Sequence, residues 1–293
     1  MSADTRPIGH ELLDAGGGRR LERFGDRVVD RPAPSALADP ILAPNQWADA
    51  DLRFDRVDPA DRRAAGAATG SGSWRGASLD PWTLTIDAVT LELRPTESGQ
   101  VGLYPEHATF WPWLREQVAP DPAPMVLHLF ASTGATTLAL AAAGARVTHV
   151  DGARSAVAWA RRNAALSGLA DAPIRWIVDD ALEFVRREAR RGRRYDGFVL
   201  DPPSFGHGPG GRRWNLVDAL PELLDACAAA AAADAWVLLT AHTAGLAEDD
   251  LGEAIWSAWD AARDVRIEAE PIVLDATSGA RLPLGVAARM IRR

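Results

Sequence analysis

Between Met125 and Ala262 one pattern recurs five times: a short apolar run, then a longer segment whose apolar residues return at helical spacing. The runs are 125–130, 146–150, 174–178, 198–200 and 236–240, and the helical segments are 134–143, 154–166, 181–191, 217–233 and 246–262. Strands that alternate with helices run parallel, because a parallel neighbour needs a crossover whereas an antiparallel one needs only a tight turn. The pattern therefore predicts an α/β, Rossmann-like domain with a mostly parallel sheet and helices on both faces. Two further runs, 265–274 and 284–290, predict a C-terminal antiparallel hairpin at one edge.

Ahead of this region the signals are those of short strands. Segments 10–14, 19–24 and 27–30 are punctuated by Gly16-Gly17-Gly18 and Gly25-Asp26, which predicts a small β-meander. Prolines 32, 34, 40 and 44 predict an extended connector. Residues 58–80 carry few large apolar groups and predict a flexible insertion. Trp82–Ile86 and Val89–Leu93 alternate around Asp87-Ala88 as a hairpin would. The expected organisation is a small β-rich domain over 1–97 and the α/β domain over 98–293.

The 293 residues, 47% hydrophobic and 25% charged, suffice for about two domains and exclude wholesale disorder. No apolar run approaches the roughly 18 residues of a membrane helix, and the start Met1-Ser2-Ala3-Asp4-Thr5-Arg6-Pro7 lacks signal-peptide layout, so a cytoplasmic protein is expected. A single cysteine, Cys227, allows no intrachain disulfide, and six scattered histidines show no zinc-ligand spacing, so no metal is expected. Every basic residue is arginine and the net charge is −8, so any nucleic-acid contact has to come from a local patch.

In open α/β sheets ligands sit at the carboxyl ends of the strands. The first such end is Phe130-Ala131-Ser132-Thr133-Gly134, a turn of small residues before a helix that either offers backbone N–H groups to an anion or is an ordinary tight turn. The second is Asp151-Gly152-Ala153, where the carboxylate takes ribose hydroxyls or caps the helix after it. The third, Asp179-Asp180-Ala181, offers a carboxylate for an adenine amino group with Ala181 under the ring, or a capping pair. The fourth, Asp201-Pro202-Pro203-Ser204-Phe205, has two prolines that fix the chain and aim Asp201 and carbonyls into the cleft.

A dinucleotide site needs Gly-x-Gly-x-x-Gly where this chain has one glycine, and a P-loop needs a lysine the chain lacks. S-adenosylmethionine, with adenine, ribose and an amino-acid tail but no phosphate, fits the set.

The segments Leu129–Gly134, Thr148–Asp151, Trp159–Asn163, Ile174–Ile177 and Tyr195–Gly206, in this order, resemble the class I S-adenosylmethionine-dependent methyltransferases of the bacterial large-subunit (23S) rRNA methyltransferase group. The resemblance covers roughly 98–293, including Gly102–His107, a segment that folds over the cofactor in relatives. It implies that the 130–134 turn holds the methionine portion, Asp151 with Gly152 and Ala153 the ribose, and Asp180 with Ala181 the adenine. Asp201-Pro202-Pro203 would form the catalytic face where donor meets acceptor, with Tyr104 and His107 as lid contacts. Ser132 stands where relatives usually carry tyrosine, Ala135 where they often carry glycine, and no RNA-binding PUA domain is recognisable in 1–97.

Methyl transfer needs alignment in a dry cleft more than it needs catalytic groups, except at cytosine C5, where a cysteine must first add to the ring. Ser204 follows the prolines and Thr240-Ala241-His242-Thr243 ends the fifth strand, so neither position supplies a thiol. Cys227 lies mid-helix among Leu223, Leu224 and alanines as a small hydrophobe. A nitrogen or oxygen acceptor is therefore expected, with His207 and His242 as proton acceptors or ordinary packing histidines. The loop Ser204–Trp214, with Phe205, Arg212, Arg213 and Trp214, either stacks a flipped base and holds phosphate or is a glycine-rich connection. Arginines 186, 187, 190, 191, 193 and 194 complement a helix C-terminus or bind RNA; Trp256 and Trp259 are expected in the core. The leading expectation is an RNA methyltransferase; the alternatives are a small-molecule or protein methyltransferase and a non-catalytic binding module. The sequence does not set the oligomeric state.

Overall fold

A computed structural model describes residues 9–57, 72–119, 123–207, 213–259 and 265–292. The chain forms two compact units, Met1–Glu106 with Val273–Pro283, and His107–Ile272 with Leu284–Arg293. The division falls after Glu106 and not at 97, because 94–101 folds back within the first unit. Arg94 N donates to Val101 O (3.0 Å), Thr96 N to Gln100 O (2.9 Å), and Gln100 Oε1 accepts from buried Arg31.

The first unit holds a five-stranded sheet in the order β1 (His10–Gly16), β2 (Arg19–Phe24), β3 (Arg27–Pro32), β4 (Leu52–Arg56), β5 (Gly72–Gly76). All neighbours are antiparallel except β3 and β4, which the proline-bearing connector and a short helix α1 (Pro44–Ala48) bring together in parallel. A hairpin of β6 (Trp82–Ile86) and β7 (Val89–Leu93) follows, with Asp87 at φ 50° in its turn. Strand β5 lies inside the stretch expected as a flexible insertion. Trp74 orders it, packing 5.1 Å from Phe54 and donating its indole N–H to Thr96 O at 2.7 Å. Of the rest of that expectation, 77–80 carries no helix or strand and 58–71 lies outside the described residues.

The interior of this sheet is ionic as well as apolar. Buried Glu22 meets Arg31 at 2.5 Å, Arg20 at 3.2 Å and His10 at 3.0 Å, and these positive neighbours outweigh burial, holding its carboxyl well below the usual range. Residues 273–283 belong here too: Thr277 N and Ser278 N donate to the carbonyls of Leu12 and Leu13, and Ser278 Oγ to Asp14 Oδ1 at 2.7 Å.

The second unit is the expected α/β domain. Its strands are β8 (Met125–Leu129), β9 (Arg146–Asp151), β10 (Ile174–Val178), β11 (Tyr195–Leu200), β14 (Ala231–Ala241), β15 (Val265–Asp275) and β16 (Arg281–Arg292), ordered β10-β9-β8-β11-β14-β16-β15. The first five are parallel and β16 pairs antiparallel with β14. The order reverses between β8 and β11, which opens a crevice at their carboxyl ends.

The helices are α2 (Trp111–Val118), α3 (Ala135–Ala142), α4 (Arg154–Leu166), α5 (Ala181–Arg190), α6 (Leu216–Ala229) and α7 (Glu248–Ala258). Strand alternation sorts the two faces. Leu127, Leu129, Val150, Phe198 and Leu239 enter a core with residues of α5, α6 and α7, whereas His128 and His149 meet Thr137 of α3, and Trp236 meets Trp113 of α2. No helix of the described residues is long and apolar enough to cross a membrane.

One boundary departs from expectation. The alanine run expected to extend the helix to 233 instead ends α6 at Ala229 and begins β14 at Ala231. Alanine favours helix only weakly against tertiary pairing, and Ala230 O accepts from Tyr195 N at 2.9 Å, drawing the run into the ladder beside β11.

Candidate active site

Five residues after β8 hold an unusual backbone: Phe130 (φ 57°), Ser132 (φ 49°) and Gly134 (φ 85°) are all left-handed. Such conformations are rare for non-glycine residues and cluster at functional sites. At Gly134 only glycine fits, since an added Cβ would lie 2.8 Å from the Ala160 Cβ. The turn is fixed from behind by buried Asn163, whose amide donates to Thr133 O at 2.9 Å, and from beside by Asp151. Asp151, half-buried at the end of β9, accepts from Ser132 N through Oδ2 and from Ala153 N through Oδ1, both at 2.8 Å. Burial raises its pKa against the lowering effect of those two amides. Each oxygen keeps a lone pair for another donor, and the backbone of Gly152 and Ala153 beside it is exposed.

At the end of β10 the capping alternative is realised: Asp180 Oδ1 accepts from Glu183 N at 2.9 Å, with Oδ2 left over, and Asp179 pairs with Arg187. Ala181 begins α5 and is buried. Tyr104, half-buried, belongs to the first unit, and His107 to the second.

The end of β11 gathers the most side chains. Asp201 Oδ1 accepts from Thr240 Oγ1 at 2.6 Å and lies 3.4 Å from His242 Nε2, while Oδ2 lies 3.5 Å from His107 Nε2. Burial alone would push the Asp201 carboxyl up, but His107, His242 and Thr240 together outweigh it and hold it well below the usual carboxylate range. Pro202 is buried and Pro203 exposed. Ser204 Oγ accepts from Thr243 Oγ1 at 2.8 Å, tying the start of the next loop to the end of β14.

That loop is a ribbon, β12 (Phe205–His207) paired with β13 (Arg213–Asn215). Phe205 is 73% exposed. Trp214 packs 5.3 Å from Phe130 and donates to Pro203 O at 2.6 Å, so it braces the 130–134 turn; Arg213 is exposed. Arg212 and the other residues of 208–212 lie outside the described residues, as does the His207 side chain. In the arginine cluster, Arg186 pairs with Glu183 and Glu222, Arg187 with Asp179 and Arg191 with Glu188, which fits solvation of that helix end. Cys227 is fully buried and its thiol is pushed up by burial. Trp259 is in the core, but Trp256 is 48% exposed: Trp259 lies past the end of α7 with extended backbone (φ −96°, ψ 110°), so the same-face relation of helical residues three apart does not hold between them.

The crystal structure of the SAM-dependent methyltransferase from Agrobacterium tumefaciens superposes with a TM-score of 0.88 at 33% identity, covering 98% of this chain and 91% of that one. The chain belongs to the SAM-dependent methyltransferases. Among curated relatives, the ribosomal RNA large subunit methyltransferases I of Klebsiella pneumoniae (strain 342) and Aeromonas salmonicida (strain A449) are 30% and 28% identical over 73% of this chain. The chain spans about half the length of these relatives, 53% and 54%. No family model matches.

Ser132, Asp151, Asp180 and Asp201 stand at the strand ends where the sequence places them. The sequence does not mark as site residues Thr240, Asn163 or the Leu284 carbonyl, which accepts from His242 Nδ1 at 2.7 Å. These three touch the strand-end residues through hydrogen bonds that only the fold brings about.

Proposed function

We propose that this methyltransferase transfers the methyl group of S-adenosylmethionine to a nitrogen or oxygen of an RNA base, with ribosomal RNA as the first candidate. The observation that carries the reading is Asp151. Two backbone amides from separate strand ends fix its carboxylate while each oxygen keeps acceptor capacity, which suits a ribose diol. The names of the curated relatives support the RNA assignment.

The residues present fit the cofactor. The left-handed turn at 130–134 brings backbone close to the first turn of α3, whose amides lack intrahelical partners and suit the methionine carboxylate. Asp151 would hold the ribose, Asp180 Oδ2 the adenine amino group, and Ala181 the ring face. When bound, the cofactor supplies an electrophilic methyl on a sulfonium. Asp201, kept ionised, would orient the acceptor group beside Pro202 and Pro203, and exposed Phe205 with Arg213 would meet the flipped base and its phosphates. With Cys227 in the core, the chain has no thiol for C5 chemistry.

The test is a partition of methyl label among total RNA, protein extract and metabolites incubated with the enzyme and labelled S-adenosylmethionine. Label is expected in RNA, and Asp201→Ala should remove it while changing cofactor affinity less than about threefold. The net charge of −8 favours a second reading, a metabolite or protein acceptor, and label confined to those fractions would establish it. Absence of saturable cofactor binding would leave the non-catalytic binding module.

A further inference from the structure

His107, Asp201 and His242, far apart in sequence, converge at the carboxyl ends of β11 and β14. The three residues form a triangle of contacts in which the carboxylate offers a different oxygen to each ring: His107 Nε2 to His242 Nε2 is 3.3 Å, His242 Nε2 to Asp201 Oδ1 is 3.4 Å, and His107 Nε2 to Asp201 Oδ2 is 3.5 Å. Charge-assisted hydrogen bonds draw such atoms to about 2.7–2.9 Å. Ligand atoms sharing one tetrahedral ion at about 2.0–2.1 Å stand roughly 3.3–3.4 Å apart. The 3.3 Å between the two ring nitrogens matches the second arrangement, with the carboxylate beside both of them.

The surrounding bonds agree. His242 Nδ1 lies 2.7 Å from Leu284 O, which can only accept, so Nδ1 carries the hydrogen and Nε2 of the neutral ring points a lone pair at the Asp201 carboxylate. Facing lone pairs call for a proton or a metal ion between them. A ring nitrogen donating to a carbonyl while its partner nitrogen faces outward is the arrangement that orients metal-bound histidines, and Thr240 Oγ1 orients the carboxylate in the same way at 2.6 Å. The side chains are 17%, 21% and 28% exposed for His107, Asp201 and His242, which leaves the triangle reachable from solvent.

We propose that His107 Nε2, the Asp201 carboxylate and His242 Nε2 form a binding site for a divalent transition-metal ion of the zinc class, with one coordination position open to solvent. Two imidazoles and one carboxylate suit zinc, iron, nickel or manganese; magnesium and calcium prefer all-oxygen sites. The site's use rests on the methyl-transfer reading. An acceptor oxygen or nitrogen bound at the open position would release its proton to water more readily. Its lone pair then forms the bond to the methyl carbon as the carbon–sulfur bond breaks and sulfur keeps that electron pair.

The experiment is titration of chelator-treated full-length protein with Zn²⁺ against a chromophoric chelator at pH 7.5. Wild type, His107→Ala, His242→Ala, His242→Gln, Thr240→Val and, as a control away from the site, His10→Gln are compared. Wild type should bind one equivalent with a Kd below about 1 µM. His107→Ala and both His242 variants should bind at least 100-fold more weakly, Thr240→Val about tenfold more weakly, and His10→Gln unchanged. Circular dichroism, measured on each variant, identifies those that keep their fold, and His242→Gln decides if His242→Ala loses it. A wild-type Kd above about 100 µM, or wild-type affinity in His107→Ala and both His242 variants, overturns the proposal. Metal binding with no cofactor binding would sink the methyl-transfer reading and leave the metal site standing.

Discussion

Gly134 and Asp151 carry the most at the smallest scale. Gly134→Ala combines a left-handed φ with a Cβ 2.8 Å from Ala160, so the turn has to shift. The backbone part alone costs about 1–2 kcal/mol, and calorimetry should show S-adenosylmethionine bound at least tenfold more weakly. Asp151→Asn keeps the shape but gives up the charge, and a hydrogen bond to a charged group contributes about 1.5–3 kcal/mol. The same titration should register a loss of tenfold to a hundredfold, and unchanged affinity would remove Asp151 from the ribose site. The sequence singles out both positions because strand ends in a doubly wound sheet are where ligands collect, and the structure places both at such ends. For Trp214 the sequence leaves a base platform and a plain loop connection open; in the structure its ring leans on Phe130 and its N–H is spent on Pro203 O. Composition shows an aromatic in a loop, whereas only tertiary packing shows which face of it is taken.

At the level of elements, the five parallel strands and their helices were readable because two-sided burial writes continuous apolar runs into the chain. What alternation could not reveal was the polar layer inside the sheet. His128 Nδ1 and His149 Nδ1 share the Thr137 hydroxyl at 2.7 and 2.9 Å, joining β8 and β9 to α3. Burial, with the charges of His128 and Arg161, pushes the His149 ring well below its ordinary value. Folded protein therefore keeps the ring neutral while unfolded protein takes up a proton below about pH 6.5, so stability falls with pH in that range. Thermal unfolding followed from pH 7.5 to pH 5 should drop less in His149→Leu than in wild type; an equal drop would assign the acid sensitivity elsewhere. Strand β11 offers a separate check. A Cβ on Gly197 would sit 2.1 Å from the Trp236 ring on β14. Gly197→Ala should lose about 1–3 kcal/mol in urea unfolding, the usual range for overpacking.

For the molecule as a whole, a division at residue 97 leaves out a feature no local pattern encodes. The tip of the β15–β16 hairpin, 273–283, folds with the first unit, where Asp14 receives Ser278 Oγ together with Ile41 N, Leu42 N and the Trp47 indole. Asp14→Ala removes the buried acceptor of these part-buried hydrogen bonds, each of which contributes about 0.5–1.5 kcal/mol. Differential scanning calorimetry should show a fall in Tm of several degrees. The hairpin read from sequence as the edge of one sheet, because residues 264 positions apart cannot announce their contact. Its path means that a gene cut at position 107 yields no clean module. The downstream fragment would carry a sticky loop shorn of its lodging, the upstream one an open seam, and recombination that shuffles the two halves among relatives would have to import that loop with the front piece or forfeit the fit.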